Sequence, residues 1–140
     1  MHDLRTYDYA IVRVVPRVER GEFVNAGIIL SCDMERILES RIELNEGALV
    51  ALHPGVDLEL VHSALARIPA ICAGGLDAGP IGNLSARERF HWLVSPKSAV
   101  VQTSPVHTGQ CGDVQAALEH LMDRMIRRPK PKAVMIAAGS

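Results

Sequence analysis

Two runs dense in β-branched residues limit what this chain can become. Tyr9-Ala-Ile-Val-Arg-Val-Val15 stops at Pro16, and Phe23-Val-Asn-Ala-Gly-Ile-Ile-Leu-Ser-Cys32 begins after seven intervening residues, 16–22. Each reads as a strand. The charged connection Arg17-Val-Glu-Arg-Gly-Glu22 is too short for a crossover helix, so the two strands pair antiparallel. Asn25 and Gly27 interrupt the second run, and a glycine inside a strand marks a bulge or a close backbone approach. Asp33-Met-Glu-Arg36 can turn the chain into Ile37–Leu44, where Leu38, Ile42 and Leu44 share one parity. That parity predicts a third, half-exposed strand and an antiparallel meander.

Helical spacing follows. Ala48–Leu52 fits either a helical turn or a short strand. Asp57 can cap a helix carrying Leu58, Val61, Leu65 and Ile68, and Pro69 either ends it or opens a further turn through Cys72. Five Gly and Pro residues between Gly74 and Gly82 predict a loop. Ser85-Ala-Arg-Glu88 is a capping box opening a short helix over 86–93. Ser98–Thr103 is a fourth strand candidate, and Pro105–Gly109 reads as a loop. From Asp113 a long helix carries Val114, Ala117, Leu118, Leu121, Met122, Met125 and Ile126 on one stripe. The expected fold is α+β: an antiparallel sheet of about four strands, with the helices at 57–72 and 113–127 on one face and the capping-box helix at an edge. Residues 1–128 are expected to form one domain. Residues 129–140 are expected as a flexible tail whose Ala133–Ala137 stretch can dock on a partner.

Composition excludes more than it assigns. With 140 residues, 48% hydrophobic and 22% charged, the chain suits one globular domain. No run reaches a membrane span, and Met1–Arg5 opens no signal-peptide core, so a cytoplasmic protein is expected. The net charge of −1 gives no basic field for nucleic acid. It divides unevenly, however. Residues 1–83 hold seven basic and twelve acidic side chains, and residues 84–140 hold eight and four. The halves can attract each other within the fold, or the positive half can face an anionic partner. Three Cys at 32, 72 and 111 form no metal-ligand spacing and read as reduced thiols. Six His make no H-E-x-x-H pattern, and the glycine loop lacks a phosphate-binding motif. No metal or cofactor is expected. Cys111 with His107 or His91 is the one nucleophile–base idea, and no catalytic residue is assigned.

Two polar segments are the candidate binding residues. Arg13, Arg17 and Arg20 can form a fork for a carboxylate or phosphate, beside Glu22 and Asn25. Equally, Glu19 and Glu22 can neutralise them. Arg87, Arg89, His91, Trp92 and Lys97 crowd a second segment, joined by His107 if the fold brings it near. Phe90 and Trp92 lie two apart on a helix, so they point in different directions and one of them is free to meet a second protein.

Tyr7–Pro16, Arg20–Leu30, Glu88–Ser98 and Ser104–Gly109, in that order, resemble a bacterial family catalogued as domain of unknown function 3037, over about residues 7–127. The resemblance implies no activity. It implies an association with kinases like the toxin kinases of toxin–antitoxin systems, and so a partner or regulator of such a kinase. The expected function is a non-enzymatic interaction module binding another protein. The alternative is an enzyme or binding protein for a phosphorylated ligand or nucleic acid, with the same Arg cluster holding the anion and His91 or His107 as general acid or base.

Overall fold

The structure, a computed structural model, describes residues 3–128. Strands β1 (Arg5–Val14), β2 (Val24–Cys32) and β3 (Ile37–Ile42) form the antiparallel meander that their short connections dictate. Helices α1 (Glu46–Leu52) and α2 (Leu58–Ala73) follow, then α3 (Ala86–Val94), β4 (Val101–Thr103), β5 (His107–Cys111) and α4 (Val114–Met125). The sheet runs β3-β2-β1-β4, and β5 pairs with the other half of β1's same edge, beyond β4. Every pairing is antiparallel. The α+β class is therefore as the sequence predicts, with five strands rather than about four.

The helix starts are written in side chains. Asn45, Asp57, Ser85 and Asp113 each accept a backbone N–H of the first turn they precede, and Ser85 with Glu88 completes the capping box. Residues 46–52 are helical, which resolves the ambiguity over that stretch. Pro69 lies inside α2, which continues to Ala73.

A bulge divides the β1–β2 ladder. Val12 pairs with Gly27 but Arg13 with Asn25, leaving Ala26 as the extra residue. Gly27 is required there because a Cβ would collide with the Arg41 carbonyl oxygen on β3. From Ala26 to Cys32 every side chain of β2 is buried, so this strand needs cover on both faces. Val12, Val14, Ala26 and Ile29 pack with α2, Phe90 and Leu93. Ile28, Leu30 and Cys32 pack with the α4 stripe of Val114, Leu118, Leu121 and Met122.

That double cover corrects the expected placement of both long helices on one face. α2 and α3 lie on one side of the sheet and α4 on the other. A second correction concerns His107–Cys111, expected to be mostly loop, which is an edge strand. Its sequence is polar because its side chains are largely exposed. The glycine-rich segment is also more ordered than a plain loop: Leu76–Asn83 makes 3-10 turns kinked at Gly79, and Gly75 donates to the Gly82 carbonyl at 3.2 Å. The predicted tail at 129–140 lies outside the described residues.

Candidate functional site

The candidate residues separate into three fates. In the first, charge is neutralised at the surface. Arg17 donates to Glu19 at 2.7 Å and Arg20 to Glu22 at 2.6 Å, all four exposed. The Glu22 carboxyl is held low, chiefly by its hydrogen bond from Arg20. A 3-10 turn over Val18–Arg20 carries this pair away from β1, so the three-arginine fork with Arg13 does not form. Arg17, Arg20 and Glu22 line a small depression with Leu52 and His53, while Arg13 opens on a different one.

In the second, polar groups hold the fold together. Arg87 of α3 donates to Asp8 Oδ2 at 2.8 Å and to Ser31 Oγ at 3.0 Å, and the Thr108 hydroxyl donates to Asp8 Oδ1 at 2.7 Å. One guanidinium thus ties α3 to β1 and β2, and through Asp8 to β5. Burial raises the Asp8 carboxyl, but the hydrogen bonds from Thr108 and Arg87 outweigh it and leave the group below the usual range. Arg89 donates to the Leu84 and Cys72 carbonyls at 3.0 and 3.3 Å, lying against Gly74 where α2 ends. A cation suits that helix C-terminus. Asn25 donates to the Met125 carbonyl at the end of α4. His107 lies on exposed β5, its ring 5.4 Å from that of Tyr9.

Among the described residues, two ion pairs join a cation of the basic half to an anion of the acidic half: Arg87 with Asp8, and Arg127 with Glu43. Arg127 also meets Glu119 and Asp123. Arg41 in turn reaches Glu119.

The third fate is a concave apolar surface. Leu60, Ala64, Ile68 and Ile71 lie four, four and three residues apart along α2, and so on one helical face. With Trp92 and Leu93 of α3 and Val101 of β4 they line a groove of about 350 Å³. Leu60 is 55% exposed and Trp92 37%, whereas Phe90 is buried. This is the divergence that two residues of spacing on a helix demands. Lys97 closes one end. Its Nζ donates to the Trp92, Leu93 and Ser95 carbonyls at 2.8, 3.2 and 3.3 Å and sits 4.6 Å above the Trp92 ring. Burial pushes its ammonium below the usual lysine range.

Lys97 and Gln102 also line a neighbouring pocket of about 510 Å³ with Arg13, Phe23 and Ser98. The Arg13 guanidinium lies 4.2 Å from the Phe23 ring centroid, and its buried Nε has no hydrogen-bond partner among the described residues. Arg13 and Lys97, from the two polar segments, are thus brought to one place. Arg87 and Arg89 are held elsewhere by their own partners. Neither the groove nor the pocket is lined by an Asp or Glu.

The sequence reading named Trp92 but missed the groove. Its signal is the pair Leu60 and Ala64, which with Ile68 make a second apolar line on α2 beside the predicted line Leu58, Val61, Leu65 and Ile68. A pair between Cys111 and His107 is excluded by β5 itself, since four residues of strand separate them by about 13 Å. Burial raises the Cys111 thiol and pushes Cys72 up to about 11, the reverse of an activated nucleophile.

Neither the curated proteins nor the solved structures yield a match. A family model described as Protein of unknown function (DUF3037) matches residues 9–126, from within β1 to just past α4, and the chain belongs to that family.

Proposed function

We propose that this chain is a non-enzymatic interaction module of the bacterial cytoplasm that binds another protein through the groove between α2, α3 and β4. One observation carries the reading: a concave apolar surface with a half-exposed Trp92 at its rim and Leu60 projecting beside it. Tryptophan is the side chain most enriched among residues that dominate binding energy, above all in a pocket able to exclude water. In the same fold Arg87, Arg89 and Lys97 already hold internal partners, which weighs against an anion-binding cluster built from them. Consistent with a cytoplasmic protein, no helix among the described residues is long and apolar enough to cross a membrane. The resemblance to the family makes a kinase-like protein the first partner to seek.

The experiment is retention from the native cytoplasm on the tagged full chain, compared with Leu60→Asp. Leu60 is exposed, so the aspartate is tolerated by the fold, and an unchanged Tm confirms it. The expected result is a stoichiometric kinase-like protein retained by the parent and lost from the variant. Equal retention by both chains refutes the groove. Retention of nucleic acid or a phosphorylated small molecule in place of protein moves the function to the anion-binding alternative.

A further inference from the structure

Resting on the reading of the groove as a protein-binding site, we infer that its partner presents an extended segment that adds to β4 as a strand and alternates apolar with acidic side chains. β4 is the outermost strand at its end of the sheet. Val15 N donates to the Val100 carbonyl at 2.6 Å, and Ser104 N to the Ile11 carbonyl at 2.8 Å. Positions 100, 102 and 104 therefore turn their backbone groups toward β1. The amides and carbonyls of Val101 and Thr103 turn outward, and no strand among the described residues pairs with them. An open edge beside an apolar groove is the arrangement by which sheets take up extended peptides.

The faces of such an added strand fix its chemistry. Val101 pairs with Val14, whose side chain belongs to the α2 face, so alternate residues of the incoming segment enter the groove. Gln102 pairs with Arg13 on the other face, so the intervening residues lie over the pocket of Arg13, Phe23 and Ser98. Arg13 has no carboxylate partner among the described residues. Arg67, exposed at the groove's margin, is likewise without an acidic partner among the described residues. Cations without anions at the rim of an apolar site select an acidic segment, by attraction to it and by repulsion of a basic one.

The probe is a synthetic eight-residue peptide alternating Val and Glu, set against the same peptide with Lys for Glu. Each is titrated to about 1 mM, the range of a weak single-strand interaction. Trp92, the one tryptophan of the chain, reports binding by its emission, and the Val101 and Thr103 amides report pairing by exchange protection. The Glu peptide is expected to saturate the protein and to protect both amides. The Lys peptide should bind about tenfold more weakly, from the exchange of attraction for repulsion at a part-exposed charge. Arg13→Gln should shrink that preference and leave the protection intact. Equal binding of the two peptides, absence of binding, or binding without amide protection overturns the inference. So does protection without peptide, whether it rises with protein concentration (a second copy on the edge) or disappears on deletion of residues 129–140. A partner protein that still depends on Leu60 while the Glu peptide fails leaves the groove standing and removes only the added strand.

Discussion

Replacing Arg87 with Ala decides whether this arginine belongs to the fold or to a binding face. Its two hydrogen bonds, to Asp8 at 2.8 Å and Ser31 at 3.0 Å, leave Ser31 buried beneath it. Truncation strands that hydroxyl and removes one of the two side-chain hydrogen bonds that stabilise the Asp8 carboxylate. A charge-assisted bond contributes about 1.5–3 kcal/mol when buried, and Arg87 is one-third exposed, so the low end applies. The expected loss is about 2 kcal/mol of unfolding free energy. Urea titration followed by Trp92 emission measures it, with the slope m unchanged. The pH dependence supplies a second signature. Asp8 is depressed in the folded state, so its contribution is full above the unfolded value near 3.9. It is lost as pH falls through the folded value. The gap between parent and variant should therefore stay constant from pH 7 to about 5 and narrow below about 4. A loss under about 0.5 kcal/mol, the size of an ordinary surface substitution, refutes the structural role and returns Arg87 to the binding candidates.

Two further outcomes follow from the same geometry. Gly27→Ala should destabilise by more than the roughly 0.5 kcal/mol of an ordinary surface substitution, because its Cβ meets the β3 backbone at Arg41 and Ile42 as well as the Ile42 side chain, and the backbone cannot move aside; thermal unfolding measures this. With the native protein at pH 7, a thiol reagent should modify Cys111 slowly and leave Cys32 and Cys72 untouched until unfolding, since both are buried. Mass counting of the adduct checks it, and two rapid additions would contradict the packing.

Much of the architecture is legible where local pattern and packing agree. The meander, the caps at Asp57 and Ser85, and the α4 stripe from Val114 to Ile126 are all read from spacing, and all of that stripe packs on one cluster. The placement of α4 was readable too, because an uninterrupted apolar run over Ile28–Leu30 means a strand covered twice. β5 was illegible for the opposite reason: His107-Thr-Gly-Gln-Cys111 is held by β1 alone and carries no apolar alternation. The arginines show where sequence reasoning stops. Arg87 and Arg13 are alike in sequence, and only tertiary contacts give one of them Asp8 and leave the other on Phe23.

β1 is paired along one edge by β2 and along the other by two strands from the far end of the chain. The Arg5 guanidinium reaches the Gly112 carbonyl across 107 residues of sequence. Contacts of such separation form late, since the loop entropy must be met before they contribute. During synthesis β1 emerges well before β4 and β5, so it is among the last of these strands to be enclosed. The meander and α2 can assemble while β1 still shows a bare edge, and the order of translation itself makes that edge the exposed surface of the nascent chain. A chaperone or a partner binding before release would meet the protein there.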